Sequence, residues 1–185
     1  MTNPFQVISG IKRSELPLAL FMFSYFFLVI TSFWILKPIK KSLFITFYDV
    51  NGFNLFGWQM MASQAELLAK VLNMVVAFVA VWAFTLLVRR FQRQQLTYVF
   101  SAFFLLSYVV YALVLNQAGD AVVWTFYLFG DLYSTLMVAT FFAFMNDSVT
   151  SDEAKRIYGL VVLGGVTGGV FGTTALRLWI DALSN

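Results

Sequence analysis

Residues 16–36 read LPLALFMFSYFFLVITSFWIL without one charged side chain, and KPIKK follows at 37–41. Wound as a helix at about 1.5 Å per residue, such a run covers the roughly 30 Å hydrocarbon core of a bilayer. It shows no apolar/polar alternation, so a β-barrel strand is not the expectation. Ser14 stands where an N-cap belongs, with Pro17 in the first turn. Lys12 and Arg13 ahead of the run imitate a signal peptide. The run is longer than a signal's apolar region, however, and carries no small-x-small cleavage site, which predicts a retained helix.

Four further runs repeat the pattern. Residues 64–88 end in the uncharged stretch 71–88, residues 96–115 are a third span, and residues 121–145 are apolar except for Asp131. The last, residues 157–176, is uncharged and rich in glycine. Composition agrees: 61% of the chain is hydrophobic and 11% charged, against roughly 45–50% and about 25% for soluble domains. The expectation is an all-α integral membrane protein of about five transmembrane helices forming a single domain over residues 1–185. Cys and His are both missing, which removes disulfides, thiolate nucleophiles, His-based triads and the commonest zinc ligands. Neither an enzyme nor a bound metal or other cofactor is expected. The net charge of +3 comes from basic residues beside apolar runs. That pattern points to lipid rather than nucleic acid as the partner.

Lys and Arg in short loops favour the cytoplasmic side. A cytoplasmic N-terminus puts Lys12, Arg13, Arg89, Arg90, Arg93, Lys155 and Arg156 inside, seven against at most four outside. Residues 116–120, an external loop in this arrangement, hold no basic residue. A bacterial inner membrane is the expected location. Lys37, Lys40 and Lys41 break the rule, since they fall at the outer end of the first run.

On a continuing helix those three lysines share an arc of about 100°, with Pro38 a potential bend among them. Two readings stand: an anion-attracting patch for phosphate or carboxylate groups, or snorkelling lysines that end the helix at the headgroups. Asp131 lies ten residues beyond Ala121, about 15 Å into the fourth span. A charge there costs at least roughly 2.5 kcal/mol, so such residues usually face a cavity or a partner. A structural contact to Asn73 or Lys70 is the plainer account. Glu66 and Lys70 are spaced i,i+4 in the favourable order. Ser63 to Glu66 also reads S-x-x-E, a capping box that would occupy Glu66 with a backbone N–H, and Thr150 to Glu153 reads the same way. Gly164, Gly165, Gly168, Gly169 and Gly172 recur at four-residue spacing, as where a second helix packs close. No Lys-Ser or Lys-Thr follows them, so they do not form a phosphate loop.

Three stretches together resemble the ATP/ADP translocase family of plastids and intracellular bacteria, related to the major facilitator superfamily, and its wider bacterial relatives. Leu36-Lys37-Pro38-Ile39-Lys40-Lys41 is similar to the tail of the family's first helix. Phe126, Tyr127, Asp131, Leu132 and Tyr133 resemble its fourth-helix pattern. Asp152-Glu153-Ala154-Lys155-Arg156-Ile157-Tyr158 resembles the acidic-acidic-Ala-Lys-Arg signature before its glycine-rich helix. The resemblance implies nucleotide exchange by alternating access between two six-helix halves, with Lys37, Lys40 and Asp131 at positions used in transport. Pro38 and Lys41 replace acidic family positions, and Asp131 replaces a glutamate.

On this reading the chain is an incomplete N-terminal six-helix half, completed by a second half or by oligomerisation. The substrate-binding set expected from residues and resemblance together is Lys37, Lys40, Lys41, Lys70 and Asp131. Two alternatives remain: a major-facilitator-like carrier of another anionic solute coupled to protons through Asp131, and a membrane assembly partner that transports nothing.

Overall fold

The computed structural model describes residues 11–55, 57–117 and 119–184. Its elements are α1 (Leu16–Asn51), β1 (Phe53–Leu55), β2 (Trp58–Met60), α2 (Ala62–Arg90), α3 (Arg93–Val114), a short 3-10 turn (Leu115–Gln117), α4 (Asp120–Ser148) and α5 (Ser151–Ser184). Among the described residues, five helices are long and apolar enough to cross a membrane, the number read from the runs above.

The largest departure is at KPIKK. α1 does not stop there but continues to Asn51 with Pro38 inside it. Proline removes one intrahelical bond, to the carbonyl four residues back, and the apolar stretch SLFITFY beyond it has a core to pack on, so the helix resumes. The lysines therefore lie within α1, not at its end. α5 likewise outruns its apolar stretch at both ends. It starts at Ser151, behind the Thr150 cap: Glu153 Oε2 accepts from the Thr150 backbone N–H at 2.8 Å, and Glu153 N–H donates to Thr150 Oγ1 at 3.4 Å, the capping box read from the sequence. Ser14 does not cap α1. Glu15 precedes the first helical residue, and its carbonyl accepts from Ala19.

One compact unit draws its described residues from 11–35 and 138–184; the other is Leu36–Met137. In the first, α5 lies against α1 through its glycines. A Cβ at Gly164, Gly168 or Gly172 would come within 2.7, 2.6 and 2.8 Å of the carbonyl oxygens of Phe23, Phe27 and Thr31, so only a hydrogen fits between the two backbones. Thr31 Oγ1 uses the proximity to donate to the Gly168 carbonyl at 3.1 Å. Met22, Phe141, Met145 and Val161 are buried together, with the Phe26 ring stacked on Phe141 at 4.6 Å. Arg156 donates to buried Glu15, its Nε 3.1 Å from Oε2. Those hydrogen bonds hold the Glu15 carboxyl below the usual glutamate range, which keeps the pair ionised into mildly acid solution.

In the second unit, Phe44, Tyr48, Val123 and Tyr127 form a core with Ala62, Ala65 and Ala69. The three alanines recur at helical spacing and leave room for the Phe44 and Tyr127 rings, 4.8 Å apart. The antiparallel β1–β2 hairpin, which hydropathy does not announce, pairs Phe53 with Met60 and Leu55 with Trp58. Its turn holds Gly57 at φ +88°, where a side chain would be strained. A second aromatic group gathers Phe104, Tyr108, Phe129 and Tyr133, with centroids 5.1 to 5.5 Å apart for contacting pairs.

Candidate functional site

The polar side chains that should be rare in apolar helices are gathered in the Leu36–Met137 unit. Lys40 and Asp131 form an ion pair through Nζ and Oδ1. Asp131 lies 11 residues into the 29-residue α4, and the Lys40 side chain is only 6% exposed. Asn73 Nδ2 donates to the other carboxylate oxygen, Oδ2, at 2.9 Å. The plainer contact foreseen for Asp131, through Asn73, is therefore present, together with a cation not foreseen as its partner. The Lys40 ammonium also sits 4.5 Å from the Tyr127 ring centroid, over its face, and donates to the Tyr127 carbonyl at 3.5 Å.

Gly130 is what lets Lys40 cross. A Cβ there would come within 2.7 Å of Lys40 Cδ and 3.3 Å of Leu36 Cδ2, so the lysine stem lies across the bare backbone of α4 one residue before the acid it reaches.

Glu66 is not a capping residue. α2 begins at Ala62 after Met61, and the side chain of Gln64 takes the reach-back role, its Oε1 accepting from the Met61 N–H at 3.1 Å. The S-x-x-E reading fails because the helix opens two residues earlier than Ser63 would require. That frees Glu66, itself buried, for Lys70 Nζ at 2.9 Å and Lys41 Nζ at 3.5 Å. Tyr127 Oη donates to the same oxygen, Oε1, at 3.5 Å.

A cavity of about 320 Å³ is lined by Lys37, Lys40, Lys41, Glu66, Lys70, Tyr127 and Asp131. All five residues expected at a site border it. Sequence reasoning left out Tyr127 as a site residue and Glu66 as a member of the set. The signal for Tyr127 was its spacing: it stands one helical turn before Asp131 and shares its face. Four ammonium groups meet two carboxylates here, a formal excess of two positive charges. Both carboxylates are already held by lysines, and among the described residues no group of three or more His, Cys, Asp or Glu is placed to hold a metal. Burying charge in apolar surroundings is costly unless the charge is paired. Pairing accounts for the buried Lys40, Asp131 and Glu66. Comparison with known proteins gives no matching family model, no matching curated protein and no matching solved structure.

Proposed function

We propose that the chain is the N-terminal half of a membrane transporter for an anionic solute, with nucleotide exchange of the ATP/ADP type as the leading case. The observation that carries the reading is the cavity just described, with two more lysines than carboxylates, set among helices apolar enough to span a bilayer. Ammonium groups bind phosphate oxygens as point charges, and ionisable residues among apolar spans commonly mark a solute path. Lys37, Lys41 and Lys70 would engage the solute. Lys40 is committed to Asp131 and would set the field of the site.

The test is exchange in proteoliposomes holding the full-length protein. Labelled ATP outside should exchange for ADP inside, and Lys37→Met should reduce the rate at least tenfold through loss of a phosphate contact, about 1.4 kcal/mol or more. Absence of exchange with every nucleotide tried refutes the nucleotide assignment. The Lys40–Asp131 pair favours one second reading, a proton-coupled anion carrier, because protonating Asp131 would release Lys40. That reading predicts uptake driven by a pH gradient and abolished in Asp131→Asn. Unchanged function after replacement of Lys37, Lys40 and Asp131 together would favour an assembly role.

A further inference from the structure

Three donors converge on one oxygen of Glu66. Lys70 and Lys41 Nζ lie 2.9 and 3.5 Å from Oε1, and the Tyr127 hydroxyl donates to it from 3.5 Å. The carboxylate side chain is 9% exposed, whereas those of Lys41 and Lys70 are 55% and 54% exposed and border the cavity. The chain itself thus already supplies an anion to two exposed cations of the site. A solute seeking Lys41 and Lys70 meets a competitor fixed to α2, at the high effective concentration that tethering gives.

We propose that Glu66 is a built-in counter-anion, displaced from Lys41 and Lys70 by the solute and protonated as it lets go, so that anion and proton bind together. This deepens the anion reading of the cavity and rests on it. The groups facing Glu66 are few. From α1 come Lys41, with Lys37 and Lys40 on the same face; from α4, Tyr127 and Asp131; from its own helix, Lys70. Lys40 is engaged by Asp131 and cannot replace the lost partners. Once Lys41 and Lys70 turn to the solute, Glu66 is a buried carboxylate beside a second negative charge, and both burial and like charge favour its neutral form. The proton adds to a carboxylate oxygen, and the solute's charge is met by the two ammonium groups. Tyr127 remains able to donate to the carboxyl.

A carboxylate that merely positioned the lysines would have the opposite mutational sign: its removal would weaken anion binding, whereas removing a competitor strengthens it. The experiment is calorimetric titration of the full chain in detergent with ATP, and with sulfate as a dianion that does not titrate near neutrality. Wild-type affinity should fall as pH rises through neutrality. Glu66→Gln should bind about tenfold more tightly at neutral pH and lose the pH dependence. Glu66→Asp, which keeps a carboxylate, should retain it. Titrations in buffers of different ionisation heat should show about one more proton taken up per ligand by wild type than by Glu66→Gln.

Weaker or unchanged binding by Glu66→Gln, with wild type binding normally, overturns the counter-anion and leaves the anion site standing. No binding of ATP or sulfate by wild type or either variant overturns both. Should Glu66→Gln not fold, wild type alone decides: sulfate binding without pH dependence or proton uptake overturns the proposal.

Discussion

Asp131 and Lys40 were each conspicuous in the sequence, the acid because it interrupts an apolar run and the lysine because its cluster violates the loop-charge trend. Their partnership was not legible. It depends on α1 continuing past Pro38, and on Gly130 leaving a gap for the lysine stem, neither of which hydropathy reports. The pair also sets a measurable penalty. Asp131→Leu strands a buried ammonium and should cost about 3 kcal/mol or more. The double variant Lys40→Met/Asp131→Leu removes both charges and should recover most of that loss. Denaturation in detergent reads the difference, and a double variant no more stable than Asp131→Leu would show that the pair contributes little. Glu66 shows the other limit of residue-level reading. Its S-x-x-E setting has a correct local logic, but Gln64 satisfied that logic first, which only the position of the helix start reveals.

The five long apolar helices were legible as elements because about 20 apolar residues in a row is a signal that survives ignorance of tertiary structure. Their ends were not, because polar residues at a helix end and polar residues inside a helix look alike in sequence. The first apolar run ends before KPIKK, which left a helix end and a continuing helix both open, and α1 runs through it; the Thr150–Glu153 box marked the start of α5, although the apolar run itself begins only at Ile157. The glycine spacing was more informative, since it announced a close approach that the α1–α5 contact of the first unit contains. Gly168→Ala would drive a methyl against the Phe27 carbonyl. It should lower stability by about 1–2 kcal/mol, an overpacking cost of roughly 1–3 kcal/mol reduced by up to about 1 kcal/mol from alanine's better helix propensity. Thermal unfolding in detergent checks this, and a stabilised variant would mean the helices separate without cost.

For the molecule as a whole, a bilayer crossed by all five long helices would have the segments on either side of α3 on opposite faces. The chain has no native cysteine, so single thiols can be mapped without background. With the positive-inside orientation, Gln92→Cys should react with an impermeant maleimide only from the cytoplasmic side and Gln117→Cys only from the outside. Labelling of both from one side would remove α3 from the list of spans.

α2 carries a consequence for any number measured on this chain. Its buried residues are Ala62, Ala65, Glu66 and Ala69, all in its opening turns, while farther along Met74, Phe78 and Trp82 are 73%, 76% and 62% exposed. No residue of α2 beyond Ala69 is buried, although Phe84 meets the Phe100 ring of α3 at 5.7 Å, and in a bilayer the rest of that surface would be covered by whatever surrounds it. Lipid tails are as apolar as leucine, so little hydrophobic force distinguishes a neighbouring helix from an acyl chain. In a bilayer, stability would therefore belong jointly to the polypeptide and its solvent. Changing acyl length or detergent is in effect a core mutation made without touching the gene.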